Sequence, residues 1–156
     1  MADAYQGNDI FLAGSLVEPT CVAYNAVIER GGGIRPGDRV VILGAGPVGI
    51  AACAILKRAG ASKVIISETQ PERAALAMKL GADYHIDPSK EDFADRVLEI
   101  THGMGAEMFM EATGLPSPDE LALLEPFRAK LNPAVFGPAP LPPSTEPPGS
   151  LRDNLR

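Results

Sequence analysis

The sequence predicts an α/β fold, a doubly wound parallel sheet. Three observations lead there. Short, wholly apolar runs rich in Val and Ile alternate with segments of helical period. Gly, Pro or Asp punctuates the junctions between them. The first strand-to-helix junction is a glycine turn with a regular spacing, Gly44-Ala45-Gly46-Pro47-Val48-Gly49.

Arg39-Val40-Val41-Ile42-Leu43 opens the series. It has no polar alternation, as expected for a strand covered on both faces. A helix from about Pro47 to Ala59 follows, with Pro tolerated in its first turn and Gly60 placed to stop it. Lys63-Val64-Ile65-Ile66-Ser67 is the second strand. Thr69 and Glu72 stand in capping-box spacing, so the next helix is expected to open at Thr69 and run to Leu80, before Gly81. Tyr84-His85-Ile86 is a weaker third strand. Ser89 and Asp92 resemble another helix start, and that helix is expected to end near Thr101, before Gly103. Glu107-Met108-Phe109-Met110-Glu111 is the fourth strand. Strands alternating with helices imply parallel pairing through right-handed crossovers.

After Gly114 the pattern changes. Ten of the 15 prolines follow Gly114, and seven of them lie between Pro133 and Pro148. Proline has no N–H to donate, so that stretch supplies no central strand. Ser117 and Glu120 are spaced as a capping box for a helix that Pro126 interrupts, and Ala134-Val135-Phe136-Gly137 is the only later strand-like remnant. The expected organisation is a lead-in helix region over residues 1–30, an incomplete α/β domain over 31–131 that stops after the fourth strand, and a Pro-rich, disordered tail over 132–156.

Composition excludes several classes of partner. The chain of 156 residues has a formal net charge of -6, which opposes nucleic acid and anionic membrane. No apolar run approaches the roughly 20 residues of a bilayer span, and the N-terminal residues lack the basic and apolar regions of a secretory signal. Two cysteines, Cys21 and Cys53, suffice for neither a disulfide framework nor a four-ligand metal site. The expected setting is cytoplasmic. His85 and His102 are not at metal-ligand spacing with each other or with a cysteine.

The glycine turn carries the chemistry. A G-x-G-x-x-G match alone is weak, but here it follows an apolar strand and opens a helix. Gly44 permits the tight turn, Gly46 lets backbone approach a pyrophosphate, and Gly49 lets helix and strand pack closely. The helix start then offers N–H groups and about half a positive charge to phosphate. Pro47 has no N–H, so Val48 and Gly49 are the expected donors. Glu68 ends the second strand, 19 residues after Gly49. A carboxylate there accepts from the adenosine ribose hydroxyls and repels a 2′-phosphate, which favours NAD(H) over NADP(H). Arg73 lies five residues further on, where it can reach the ribose or a phosphate oxygen. The alternatives are a glycine turn that binds nothing, a solvated strand-end carboxylate and a plain surface arginine.

Leu16-Val17-Glu18-Pro19, the stretch from Gly33 to Gly49, Leu80-Gly81-Ala82-Asp83 and Glu111-Ala112-Thr113-Gly114 together resemble the zinc-type medium-chain alcohol dehydrogenases, in particular their sorbitol, threonine and polyol branch. The resemblance implies a Rossmann-like cofactor domain binding NAD. It makes Gly44, Gly46 and Gly49 the fingerprint, Glu68 the ribose acid and Arg73 its basic companion. It places Ala112, Thr113 and Gly114 beside the adenosine and ribose, and Glu18 close to a catalytic zinc. The resemblance also implies zinc in a full-length member, held by Cys, His and an acid in a preceding catalytic domain. No such ligand set precedes Leu16. The expectation is therefore the cofactor domain of an alcohol or polyol dehydrogenase, inactive alone. The alternative is a non-catalytic nucleotide-binding module or a truncated or frame-shifted product. Self-association or a completing partner chain is expected of the fourth strand's open edge.

Overall fold

A computed structural model describes residues 9–114. The expected helix at Ser117, the strand remnant at Ala134 and the Pro-rich tail lie outside the described residues. The sheet has four strands, β1 (Arg39–Leu43), β2 (Lys63–Ser67), β3 (Tyr84–Ile86) and β4 (Met108–Glu111), in the order β3-β2-β1-β4. All three pairings are parallel. The register sets Leu43 beside both Ser67 and Glu111, so three strands end at one level.

The apolar runs are two-sided. Val40, Ile42, Val64 and Ile66 face one core together with Ala52, Cys53 and Leu56 of α3 (Pro47–Ala59) and Ala77 of α4 (Pro71–Leu80). Val41 and Ile65 face the other, with Ile86 and with Val97 and Ile100 of α5 (Phe93–Ile100). Burial of each such side chain contributes roughly 1.5–3 kcal/mol. This double covering explains why β1 and β2 read as unbroken apolar segments. Phe93 and Phe109 meet edge to face on the second side, 6.5 Å between ring centroids.

Helix starts depart from the sequence expectation at two places. Thr69 does not cap α4. Its N-cap is Gln70, with no side-chain bond, because Pro71 takes the first helical position and its ring pre-sets the helical φ there. Ser89 does not open α5 either. Its hydroxyl bonds Asp87 instead, and Asp92 is the cap, accepting from the Asp95 N–H at 2.8 Å.

The N-terminal part is helical. Helices α1 (Ile10–Ser15) and α2 (Val17–Tyr24) and a π-helical turn (Asn25–Arg30) follow one another closely. Together they form a helical stretch, Ile10–Arg30, long and apolar enough to cross a membrane by length and composition alone, and mostly exposed. Ser15, Glu18, Thr20 and Asn25 interrupt its apolar residues, so no continuous run announces it. Pro19 lacks an N–H and crowds the carbonyl four residues back, which accounts for the break at Leu16. Its inner face, Ala23 and Val27, packs on the first core. Phe11 is 85% exposed.

Candidate functional site

The carboxyl ends of β1, β2 and β4 meet at the glycine turn, the end of a parallel sheet where ligands settle. The Gly44 N–H donates to the Ser67 carbonyl at 2.8 Å, and the Ala112 N–H donates to the Leu43 carbonyl at 2.9 Å. The three glycines are there for different reasons. Gly44 has φ +89, and a Cβ on it would stand 3.0 Å from the Ala112 carbonyl oxygen. A Cβ on Gly49 would stand 2.0 Å from the Gly44 oxygen, so the helix can approach the turn only with glycine there. Gly46 is different. Its φ is -72 and ψ -179, open to any residue, and a Cβ would meet nothing within 4 Å. Neither backbone strain nor packing asks for glycine at Gly46, whereas a ligand lying against the backbone would.

Gly46 is the N-cap of α3 and makes no side-chain cap bond. Pro47 stands at the first helical position, which leaves Val48 and Gly49 to direct the first N–H groups outward. Opposite them stands Glu68, 8% exposed. Its Oε2 accepts from the Ala45 N–H and its Oε1 from the Gln70 N–H, both at 2.9 Å. Burial pushes its pKa up, but the N–H groups of Gln70, Ala45 and Thr69, with the Arg73 charge, outweigh it and hold the carboxyl below its ordinary value. Glu68 is therefore anionic at neutral pH. Arg73 is exposed in the first turn of α4, near enough to Glu68 to act on its charge.

Ala112, Thr113 and Gly114 follow β4 and lie against the glycine turn: Gly44 faces Ala112 and Thr113. Glu111 braces them by accepting from the Thr113 N–H at 2.5 Å and from its hydroxyl. Glu18 is exposed in the first turn of α2, and Cys21 is exposed further along it. Among the described residues no three His, Cys, Asp or Glu side chains come together to hold a metal. A cavity of about 340 Å³ lies at the opposite end of the sheet, beside Asp38 and Glu107, and none of the glycine-turn residues lines it.

The glycine turn, Glu68 and the segment after β4 thus come together at one end of the sheet. The family model for zinc-binding dehydrogenases matches residues 47–124, half of the chain. The chain belongs to the zinc-type medium-chain alcohol dehydrogenase family. Among curated members of this dehydrogenase family, scyllo-inosose 3-dehydrogenase of Thermotoga maritima is 68% identical over 112 residues, 72% of this chain and 28% of the relative. A solved structure from Thermotoga maritima, assigned as an alcohol dehydrogenase, superposes with a TM-score of 0.73 at 61% identity and covers 82% of this chain and 31% of that one. A zinc-binding dehydrogenase from Sinorhizobium meliloti 1021, solved with NADP bound, superposes with a TM-score of 0.53 at 28% identity, covering 62% of this chain and 28% of that one. The chain spans about 30% of the length of these dehydrogenases.

Two features of the site were not read from the sequence. Ala45 takes part through its N–H alone, which no side-chain pattern reveals. His85 was read only as lacking metal-ligand spacing; its Nε2–H donates to the Glu68 carbonyl at 2.7 Å and so fixes the backbone that carries the acid. The β2–β3 register, Ser67 beside Ile86, brings it there.

Proposed function

We propose that residues 31–131 form the NAD(H)-binding domain of an alcohol or polyol dehydrogenase, and that this chain alone does not turn over. The open space at Gly46 carries the reading, since a glycine needed by neither backbone nor packing is explained by a pyrophosphate lying against it. Val48 and Gly49 N–H groups would hold the phosphates, aided by the helix dipole. Glu68 would accept from the ribose hydroxyls, and Arg73 and the segment 112–114 would flank the adenosine. The cofactor, when bound, supplies a nicotinamide ring that exchanges hydride with the substrate carbon. The residues of this chain orient it.

Zinc is a separate matter. A catalytic zinc needs about three protein ligands, and the described residues bring no such set together. Glu18 and Cys21 do not make a zinc site by themselves, and no step is routed through them. That same observation favours the second reading, a non-catalytic nucleotide-binding module.

The test is a fluorescence titration of the purified chain with NADH and with NADPH. The charge on Glu68 should give NADH an advantage of about tenfold or more. Equal or reversed affinities would overturn the choice of NAD(H), and the NADP-bound relative makes that outcome a concrete competitor. Incubation with NAD and a panel of alcohols and polyols, with and without zinc, should yield no NADH. Turnover that survives repurification would overturn the proposed inactivity.

A further inference from the structure

We propose that Glu68 also sets the shape of the phosphate-binding turn, so that one carboxylate governs recognition of the pyrophosphate as well as of the ribose; the inference rests on the nucleotide-site reading above.

The carboxylate is built into the protein before any ligand arrives. Each of its oxygens already accepts one backbone N–H, from Ala45 and from Gln70. The carboxylate keeps lone-pair capacity for a ribose hydroxyl. The Ala45 bond is the unusual one. Parallel pairing carries the β1–β2 ladder as far as Gly44, whose N–H reaches the Ser67 carbonyl. Beyond Gly44 the chain leaves the ladder and turns into α3, and its next N–H, that of Ala45, points to the Glu68 side chain. Ala45 is 1% exposed, so water is a poor substitute. The Glu68 side chain is the partner that satisfies this buried N–H.

The same peptide unit joins the two halves of the site. Its N–H is that of Ala45, held by Glu68. Its carbonyl is that of Gly44, whose oxygen lies over Gly49, 2.0 Å from where a Cβ would stand. Glu68 thus fixes the plane of the peptide that abuts the first turn of α3. Without the carboxylate a buried N–H is left unpaired, and a residue free to change is next to it: Gly44, already at φ +89. Rotation of that peptide would relieve the N–H and would displace Gly46 and the N–H groups of Val48 and Gly49 from the phosphate.

The probe is a nucleotide that cannot touch Glu68 through its sugar. ADP and 2′,3′-dideoxy-ADP carry the same diphosphate, but the second has no ribose hydroxyls. Titration calorimetry of both, on the wild-type chain and on Glu68→Ala and Glu68→Gln, separates the roles. Glu68→Ala should weaken dideoxy-ADP by about tenfold, and Glu68→Gln, which keeps one acceptor, by about threefold. In the free protein the Ala45 amide should exchange with solvent at least about tenfold faster in Glu68→Ala than in wild type. If Glu68→Ala does not fold, Glu68→Gln carries both measurements. Weakened ADP with unchanged dideoxy-ADP would overturn the inference and leave the nucleotide site standing. A wild-type chain that binds neither nucleotide would overturn the site itself, and the inference with it.

Discussion

At the scale of the residue, the three glycines of one motif separate by physical cause, and substitution tells them apart. Gly49→Ala places a methyl 2.0 Å from a backbone oxygen that has nowhere to go, since the Gly44 peptide is held by Ser67 on one side and Glu68 on the other. The variant should lose several degrees of melting temperature, or fail to fold. At Gly46 a Cβ meets nothing within 4 Å and the φ is open to any residue, so Gly46→Val is tolerated by the backbone. It should cost only about 1 kcal/mol, from a poorer N-cap, yet abolish NADH binding. A thermal melt and a titration on each variant check the contrast, and Gly46→Val with wild-type affinity would reduce the turn to a structural device. The motif and Glu68 were legible in the sequence because side-chain identity and spacing encode them. The Ala45–Glu68 bond was not, because a backbone N–H has no sequence signature. It depends on how the turn folds beside the end of β2, a three-dimensional fact.

At the scale of the element, strands were legible to within a residue because burial on both faces leaves a plain apolar record. Helix starts were less so. Thr69 and Ser89 had the right chemistry and the wrong position, one displaced by Pro71 and the other drawn into the turn around Asp87. Asp83 shows how much a loop acid can do. The sequence gives it no role beyond a place in the Leu80-Gly81-Ala82-Asp83 motif. Its carboxylate accepts from Lys57 Nζ at 2.6 and 2.8 Å and from the Val64 N–H at 2.8 Å, so it ties α3 to the start of β2. The two side chains remain 38% and 29% exposed, so the ion pair contributes little, about 0–1 kcal/mol. The bond to the Val64 N–H, on a strand buried at that point, contributes more. Asp83→Ala should therefore destabilise by about 1–3 kcal/mol in urea denaturation. Asp83→Asn keeps an acceptor for Val64 and should lose less than half of that. Equal losses would mean that the Lys57 pair, not the strand bond, holds the junction.

At the scale of the whole molecule, the ionisable groups predict how stability follows pH. Three carboxyls are held below their ordinary values in the folded state. For Glu68 and Glu107 burial acts upward, but hydrogen bonds and the Arg73 and Arg39 charges overcome it. For Asp87, bonds from Lys90 and Ser89 bring the pKa to about 2. A depressed folded pKa means that the unfolded chain takes up protons first. The stability these groups lend is complete above their ordinary values, 4.5 for the glutamates and 3.8 for Asp87, and is lost as pH falls through their lowered folded values, about 2 for Asp87. Lys90 is 78% exposed, so salt should screen the Asp87 share. Cys53 acts at the other end. Burial, with the Asp83 charge, pushes its thiol up to about 12 against an ordinary 9.0, while Lys57 acts the other way. Its raised folded pKa holds stability below 9.0 and loses it as pH climbs between those values, because only the unfolded thiol ionises there. Urea midpoints measured from about pH 2 to 11 should give a plateau bounded by these two declines. In Glu68→Gln the acid decline should become shallower, because one of the three groups no longer titrates. In Cys53→Ala the alkaline decline should flatten, although the plateau itself drops because a buried side chain has been cut back. An acid decline unchanged by Glu68→Gln would show that the carboxylate is not held anionic by the turn it braces, and would remove the electrostatic ground for preferring NADH to NADPH.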